Sequence, residues 1–185
     1  MSSSDDPSLR TVDDLERVGV VRAVVRAPAA MLGRAGGPVD PRAPDIVRLA
    51  ADLLITMRVS PGCVGLAAPQ VGVSAQVFAV DVTGHPKART QHGALVLCNA
   101  RVIEASQWQK GREGCLSVPD LTGDVKRAAR LVVAGVVPGT GEEMEITTDA
   151  FEARAVQHEI DHCAGLLFLD RVAGAHAIYT RKVYR

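Results

Sequence analysis

Residues 157–165 read Gln-His-Glu-Ile-Asp-His-Cys-Ala-Gly, so His158, Glu159 and His162 form an HExxH motif. Residues four apart on a helix share one face. His158 and His162 can therefore offer two ring nitrogens to one metal, with Glu159 beside it. HExxH alone is the signature of zinc peptidases, in which the glutamate is the general base for a water on the metal. Such a site needs a third ligand, and its usual downstream positions do not supply one. The metzincin pattern wants a histidine six residues after the second one, where this chain has Phe168. The thermolysin pattern wants a later glutamate, and none occurs after Glu159. Only Asp170 and His176 remain on that side, and neither has flanks that suggest a rigid metal shell.

The better candidate lies upstream, in Glu113-Gly114-Cys115-Leu116-Ser117-Val118-Pro119. A Cys115 thiolate supplies the charge that two neutral imidazoles lack and leaves a fourth position for water, as a catalytic site requires. A third segment, residues 62–72, reads Gly-Cys-Val-Gly-Leu-Ala-Ala-Pro-Gln-Val-Gly. Its glycines permit close backbone approach to a ligand, and Gln70 can donate its amide N–H to a developing oxyanion. Cys63, Cys98 and Cys163 are read as small buried hydrophobes. The chain opens without a basic start or an apolar signal-like stretch, so a reducing cytoplasm is expected.

Taken in order, the three segments resemble the peptide deformylase family, whose pattern is Gly-x-Gly-Leu-Ala-Ala-Pro-Gln, Glu-Gly-Cys-Leu-Ser and Gln-His-Glu-x-Asp-His. The likeness runs from about Val25 to Asp170. It implies that Cys115, His158 and His162 hold one divalent metal and that Glu159 is the catalytic acid and base. It implies further that Gln70 and the Leu116 backbone N–H hold the oxyanion, while Gly65 aligns the substrate main chain. The metal implied is Fe2+ in the cell, with Ni2+ or Co2+ as active substitutes and Zn2+ a poorer one; ligand affinity alone would favour zinc. The reaction implied is hydrolysis of the N-formyl group from formylmethionine at the start of new polypeptides. The metal lowers the pKa of water, Glu159 takes its proton as the formyl carbon is attacked, and formate leaves.

The chain departs from the family pattern twice. Cys63 stands where the first glycine belongs, as in the organelle-type branch, and its side chain would narrow the substrate groove. Leu121, Thr122 and Gly123 stand where many bacterial members carry an arginine, which implies a lost contact to the peptide. Arg127 matches the arginine that pairs with Glu113, and that pair is expected to orient the Cys115 loop. Val64, Phe151 and Ala155 are expected to line the pocket for the methionine side chain; Arg154, beside them, has no evident role. The partners implied are N-formylmethionyl nascent peptides, met at the ribosome exit region. Two rival readings are a zinc endopeptidase and a metal-binding or ribosome-associated protein without catalysis. The second has no use for Glu159 and Gln70.

Around these residues the sequence predicts an α+β fold, with antiparallel sheets packed around a central helix that carries the HExxH. Asp149, with Glu152 three residues later, is a capping pattern that would start this helix. From Pro44, the positions Ile46, Leu49, Leu53, Leu54 and Met57 keep helical spacing up to Pro61-Gly62. Strands are expected over 76–82, 94–98, 130–137 and 143–147, with a turn at 138–141. Residues 1–20 are polar and acidic, unlike a transit peptide, and are expected to form a flexible or weakly helical extension before a single catalytic domain over 21–185. Lys plus Arg equals Asp plus Glu at 21 each, and aromatic residues make up 3%. Neither a nucleic-acid platform nor an anionic membrane surface is indicated.

Overall fold

A computed structural model describes residues 11–182. Residues 1–10, part of the expected extension, lie outside the described residues. The rest of that segment is a packed element. Helix α1 (Val12–Val18) starts at Thr11, whose hydroxyl accepts the Asp14 N–H while Asp14 caps the Thr11 N–H in return. Its Leu15 is buried against the next helix.

Helix α2 (Pro44–Val59) opens on a proline, whose missing N–H costs nothing in the first turn. Its apolar face, Leu49, Leu53, Leu54 and Met57, packs on strands β1 (Gly65–Ala67) and β2 (Val77–Val80). Those strands are buried on both faces, and the period of two sorts their side chains. Leu66, Val77 and Ala79 face α2, whereas Ala67, Phe78 and Val80 enter the core beneath helix α3 (Ala150–Cys163).

The remaining strands are β3 (Leu95–Cys115), β4 (Val118–Val136), β5 (Glu143–Asp149) and β6 (Ile178–Thr180). All pair antiparallel in one continuous sheet of order β1-β2-β3-β4-β5, with β6 added to the start of β4. The α+β architecture expected from the sequence is therefore present. The strands anticipated at 94–98 and 130–137 are only parts of β3 and β4, which run on as one long hairpin to a tight turn after Cys115. Residues 101–110 of β3 are exposed throughout, so no inward apolar alternation marks them as a strand.

Helix α3 starts after Asp149, as expected, but not by side-chain capping. The Asp149 carboxylate accepts the Thr90 N–H, and Glu152 is drawn to the His92 N–H at 2.9 Å and the Thr148 hydroxyl at 2.7 Å. The capping pattern marks the boundary, while its two acids serve to pin the 90–92 loop.

Candidate active site

Helix α3 carries His158 and His162 one turn apart, and the β3–β4 turn brings Cys115 to them. The His162 Nε2 atom lies 3.3 Å from Cys115 Sγ and 3.1 Å from His158 Nε2. The three ligand atoms all fall within 4.8 Å of one another. Tetrahedral coordination at ordinary metal–nitrogen and metal–sulfur lengths gives ligand edges of about 3.4 and 3.6 Å, so small outward shifts accommodate an ion. The charges agree with this fit. Burial drives His162 well below the usual imidazole range and leaves its lone pair available. Burial also opposes charge on His158, yet Cys115 and Glu113 outweigh it and hold that ring up at about 10, so the pocket favours a cation. Asp170 and His176, the other ligands considered, do not join the cluster: Asp170 accepts the Leu167 N–H and His176 is exposed. Phe168, at the position of the metzincin histidine, is buried in the cluster that backs Cys115, its ring centroid 6.5 Å from that of His158.

Two buried carboxylates flank the cluster and differ in their partners. Glu113 accepts from His158 Nδ1 at 2.9 Å, which turns Nε2 of that ring toward Cys115 and His162. Arg127 meets it with two bonds, Nε at 2.9 Å and Nη2 at 3.0 Å, which is the ion pair expected from the sequence. Burial alone would push Glu113 up; the bonds from His158 and Arg127 hold it far below the usual carboxylate range. Arg154, without a role in the sequence reading, adds a third support through Nη1 at 2.7 Å from Glu113 Oε1. Behind Arg127, Asp161 bonds its guanidinium and that of Arg171.

Glu159 has no such support. It is 3% exposed, and its Oε2 is one of two buried side-chain polar atoms without a partner among the described residues, the other being His162 Nδ1. Burial pushes its carboxyl up to about 7. It faces Gly65 closely enough that a Cβ there would stand 2.4 Å from Oε1. Gln70 is held from behind, its Oε1 accepting the Ala67 N–H at 2.9 Å, so its Nε2 is aimed at Cys115 Sγ, 3.3 Å away, and at Ser117 Oγ.

Cys115, His158, Glu159, Gly65, Gln70 and Glu113 line one cavity of about 230 Å3. Val64, Leu116, Phe151 and Ala155, all singled out from the sequence, are in its wall. Cys63 also lines it, its thiol donating to the Gly65 carbonyl at 3.1 Å and pushed up to about 12 by burial, so it is no nucleophile at neutral pH. Cys98 and Cys163 are buried thiols in apolar clusters, as read from the sequence. The sequence reading missed His85, whose ring stacks on Phe151 with centroids 3.8 Å apart, and Arg181 at the rim. Nothing local to either residue marks it as a site residue.

The polypeptide deformylase family model matches residues 21–177. A peptide deformylase of Symbiobacterium thermophilum is 40% identical over 149 residues, covering 80% of this chain and 65% of that protein. One of Carboxydothermus hydrogenoformans is 40% identical over 151 residues, covering 82% of this chain and 93% of the other. Among solved structures, a Met-Ala-Ser-bound peptide deformylase from Acinetobacter baumannii superposes with a TM-score of 0.75 at 35% identity, covering 83% of this chain and all of that one. The chain belongs to the polypeptide deformylase family, metal-dependent hydrolases that remove the formyl group from the amino terminus of new polypeptides.

Proposed function

We propose that residues 21–185 act as one catalytic domain that deformylates N-formylmethionyl nascent peptides, with Cys115, His158 and His162 holding the metal. The observation that carries this reading is the unpartnered Glu159 Oε2 buried beside the Cys115–His158–His162 cluster. A buried carboxylate oxygen that no protein group bonds is free to take and return a proton.

A divalent ion bound there would supply Lewis acidity and water of lowered pKa. Glu159, poised near neutrality, accepts a proton from the attacking water and returns it to the amine that leaves with the methionine. Gln70 Nε2, preset by the Ala67 N–H, donates to the oxyanion together with the Leu116 backbone N–H. Gly65 keeps the space before Glu159 clear for the substrate main chain. The methionine side chain lies against Val64, Phe151 and Ala155. Glu113, with Arg127, fixes the His158 ring and the strand that ends in Cys115.

The Met-Ala-Ser peptide bound by the Acinetobacter relative supports this substrate class over internal peptide bonds. The metal in the cell is taken to be Fe2+, with Ni2+ or Co2+ active and Zn2+ less so, by likeness to the family. Because formylated ends belong to new chains, we place the work in the cytoplasm near the ribosome exit region, with no direct contact to nucleic acid or membrane. Protein purified without oxygen should release formate from formyl-Met-Ala-Ser and carry one metal ion per chain. No release with any divalent metal would overturn the reading.

A further inference from the structure

The cavity lined by Cys115, His158 and Glu159 has a cationic rim that the balanced net charge conceals. Three arginines stand there, Arg112, Arg154 and Arg181. Two are committed to partners. Arg112 bonds Asp124 Oδ1 at 2.6 Å and lies 3.6 Å over the Tyr179 ring, and Arg154 bonds Glu113 and three backbone carbonyls. The Arg181 guanidinium has no carboxylate partner among the described residues; it has only a long contact, 3.5 Å, to the Pro119 carbonyl.

Its position is built by the fold. Strand β6 pairs Thr180 with Leu121, Tyr179 with Thr122 and Ile178 with Gly123, and the Arg181 N–H then bonds the Asp120 carbonyl at 2.8 Å. This register carries the side chain across β4 onto β3, where it lies over Gly114. A Cβ on Gly114 would stand 2.6 Å from Arg181 Nη2, so the glycine before Cys115 is what admits the guanidinium. Cys115, His158 and Glu159 line this same cavity, so a peptide whose formyl end reaches them carries its following residues past these arginines.

We propose that Arg181 is a specificity-determining residue that binds an acidic side chain of the substrate peptide downstream of its formylated first residue. The inference rests on the deformylase reading above. A guanidinium placed this way forms a charge-assisted pair with a carboxylate, at a partly exposed site where such a pair is worth about fivefold in affinity.

The test uses the metal-loaded full chain and two amide-capped peptides, formyl-Met-Ala-Glu and formyl-Met-Ala-Lys, at low and at high salt. The wild type should favour the glutamate peptide about fivefold in kcat/KM through KM, with the preference shrinking at high salt. Arg181→Gln should abolish the preference with kcat and metal content unchanged, and Arg181→Glu should reverse it. Calorimetric titration of the product Met-Ala-Glu amide should show the same loss of affinity in Arg181→Gln, independently of turnover. A wild type that releases formate from both peptides equally, or an Arg181→Gln protein that weakens on both equally, would overturn the inference and leave the activity standing. No formate from either peptide would overturn the deformylase reading itself.

Discussion

Helices α2 and α3 lie on opposite faces of the same two strands, and both bury charged and polar side chains. On α2, Asp52 accepts the Val20 N–H at 2.8 Å and Arg22 Nη1 at 3.0 Å, while Thr56 accepts the Arg22 N–H at 2.9 Å. These bonds tie the incoming chain to the helix. On α3, Glu152 is likewise saturated, but Glu159 keeps one oxygen and His162 one nitrogen without a partner among the described residues. The buried polar groups of α2 spend their bonds on holding the fold, whereas the unbonded atoms of α3 gather beside the Cys115–His158–His162 cluster.

The contrast breaks most sharply at Glu159. Glu159→Gln should lower kcat on formyl-Met-Ala-Ser on the order of 100- to 10,000-fold while metal content by elemental analysis stays at the wild-type level. Near-normal turnover would show that the unpaired oxygen has no role. Next comes Glu113→Ala, which leaves Arg127 and His158 without their shared partner. It should weaken metal binding about 10- to 100-fold in competition with a chelator and cost about 3 kcal/mol in denaturant unfolding. Unchanged metal content and rate would remove its positioning role.

Stability against pH separates two acids of the same helix. The folded-state pKa of Glu159 is raised by burial from 4.5 to about 7, so it favours folding while protonated, and that contribution is lost as pH rises from about 4.5 to about 7. Chelator-treated Glu159→Gln should therefore be more stable than chelator-treated wild type at pH 8, by about 2 kcal/mol. Glu152 has the opposite sign. Burial pushes it up, but bonds from Thr90, His92 and Thr148 outweigh this and lower its pKa, so its contribution is present above the unfolded value and lost in acid. Glu152→Gln should lower Tm at neutral pH and converge on the wild type as the pH falls below the carboxylate range. The smallest effect belongs to α2: Asp52→Asn should cost about 1 kcal/mol in unfolding and leave kcat and metal content unchanged.

Much of the site was legible before any fold was known, because its chemistry is written in short runs. His158, Glu159 and His162 need only a helix to meet, and the Asp149 and Glu152 pattern before them foretold one. Gln70 and Cys115 were readable as residue types suited to the task, and the order of the three segments made them a set. Regular elements with one-sided burial were equally visible, as in α2 and β5. The exposed length of β3 was not, since a strand whose side chains all meet solvent shows no alternation. Helix α1 was masked by acids that turn out to cap it and face water.

The proposed ligand set, general base and oxyanion amide could thus be named from residue types and motif order, since what they ask for is atoms able to bind a cation or move a proton. The tertiary structure alone decided how they are supported and bounded. Arg154 braces Glu113 from a distant part of the chain, His85 stacks on Phe151, and β6 delivers Arg181 to Gly114. Each of these depends on register and chain path, for which a single side chain carries no local signal. Glu113 and Glu159 are the same residue type near the same imidazole, and only the packing made one a saturated anchor and left the other with an oxygen that no described residue bonds.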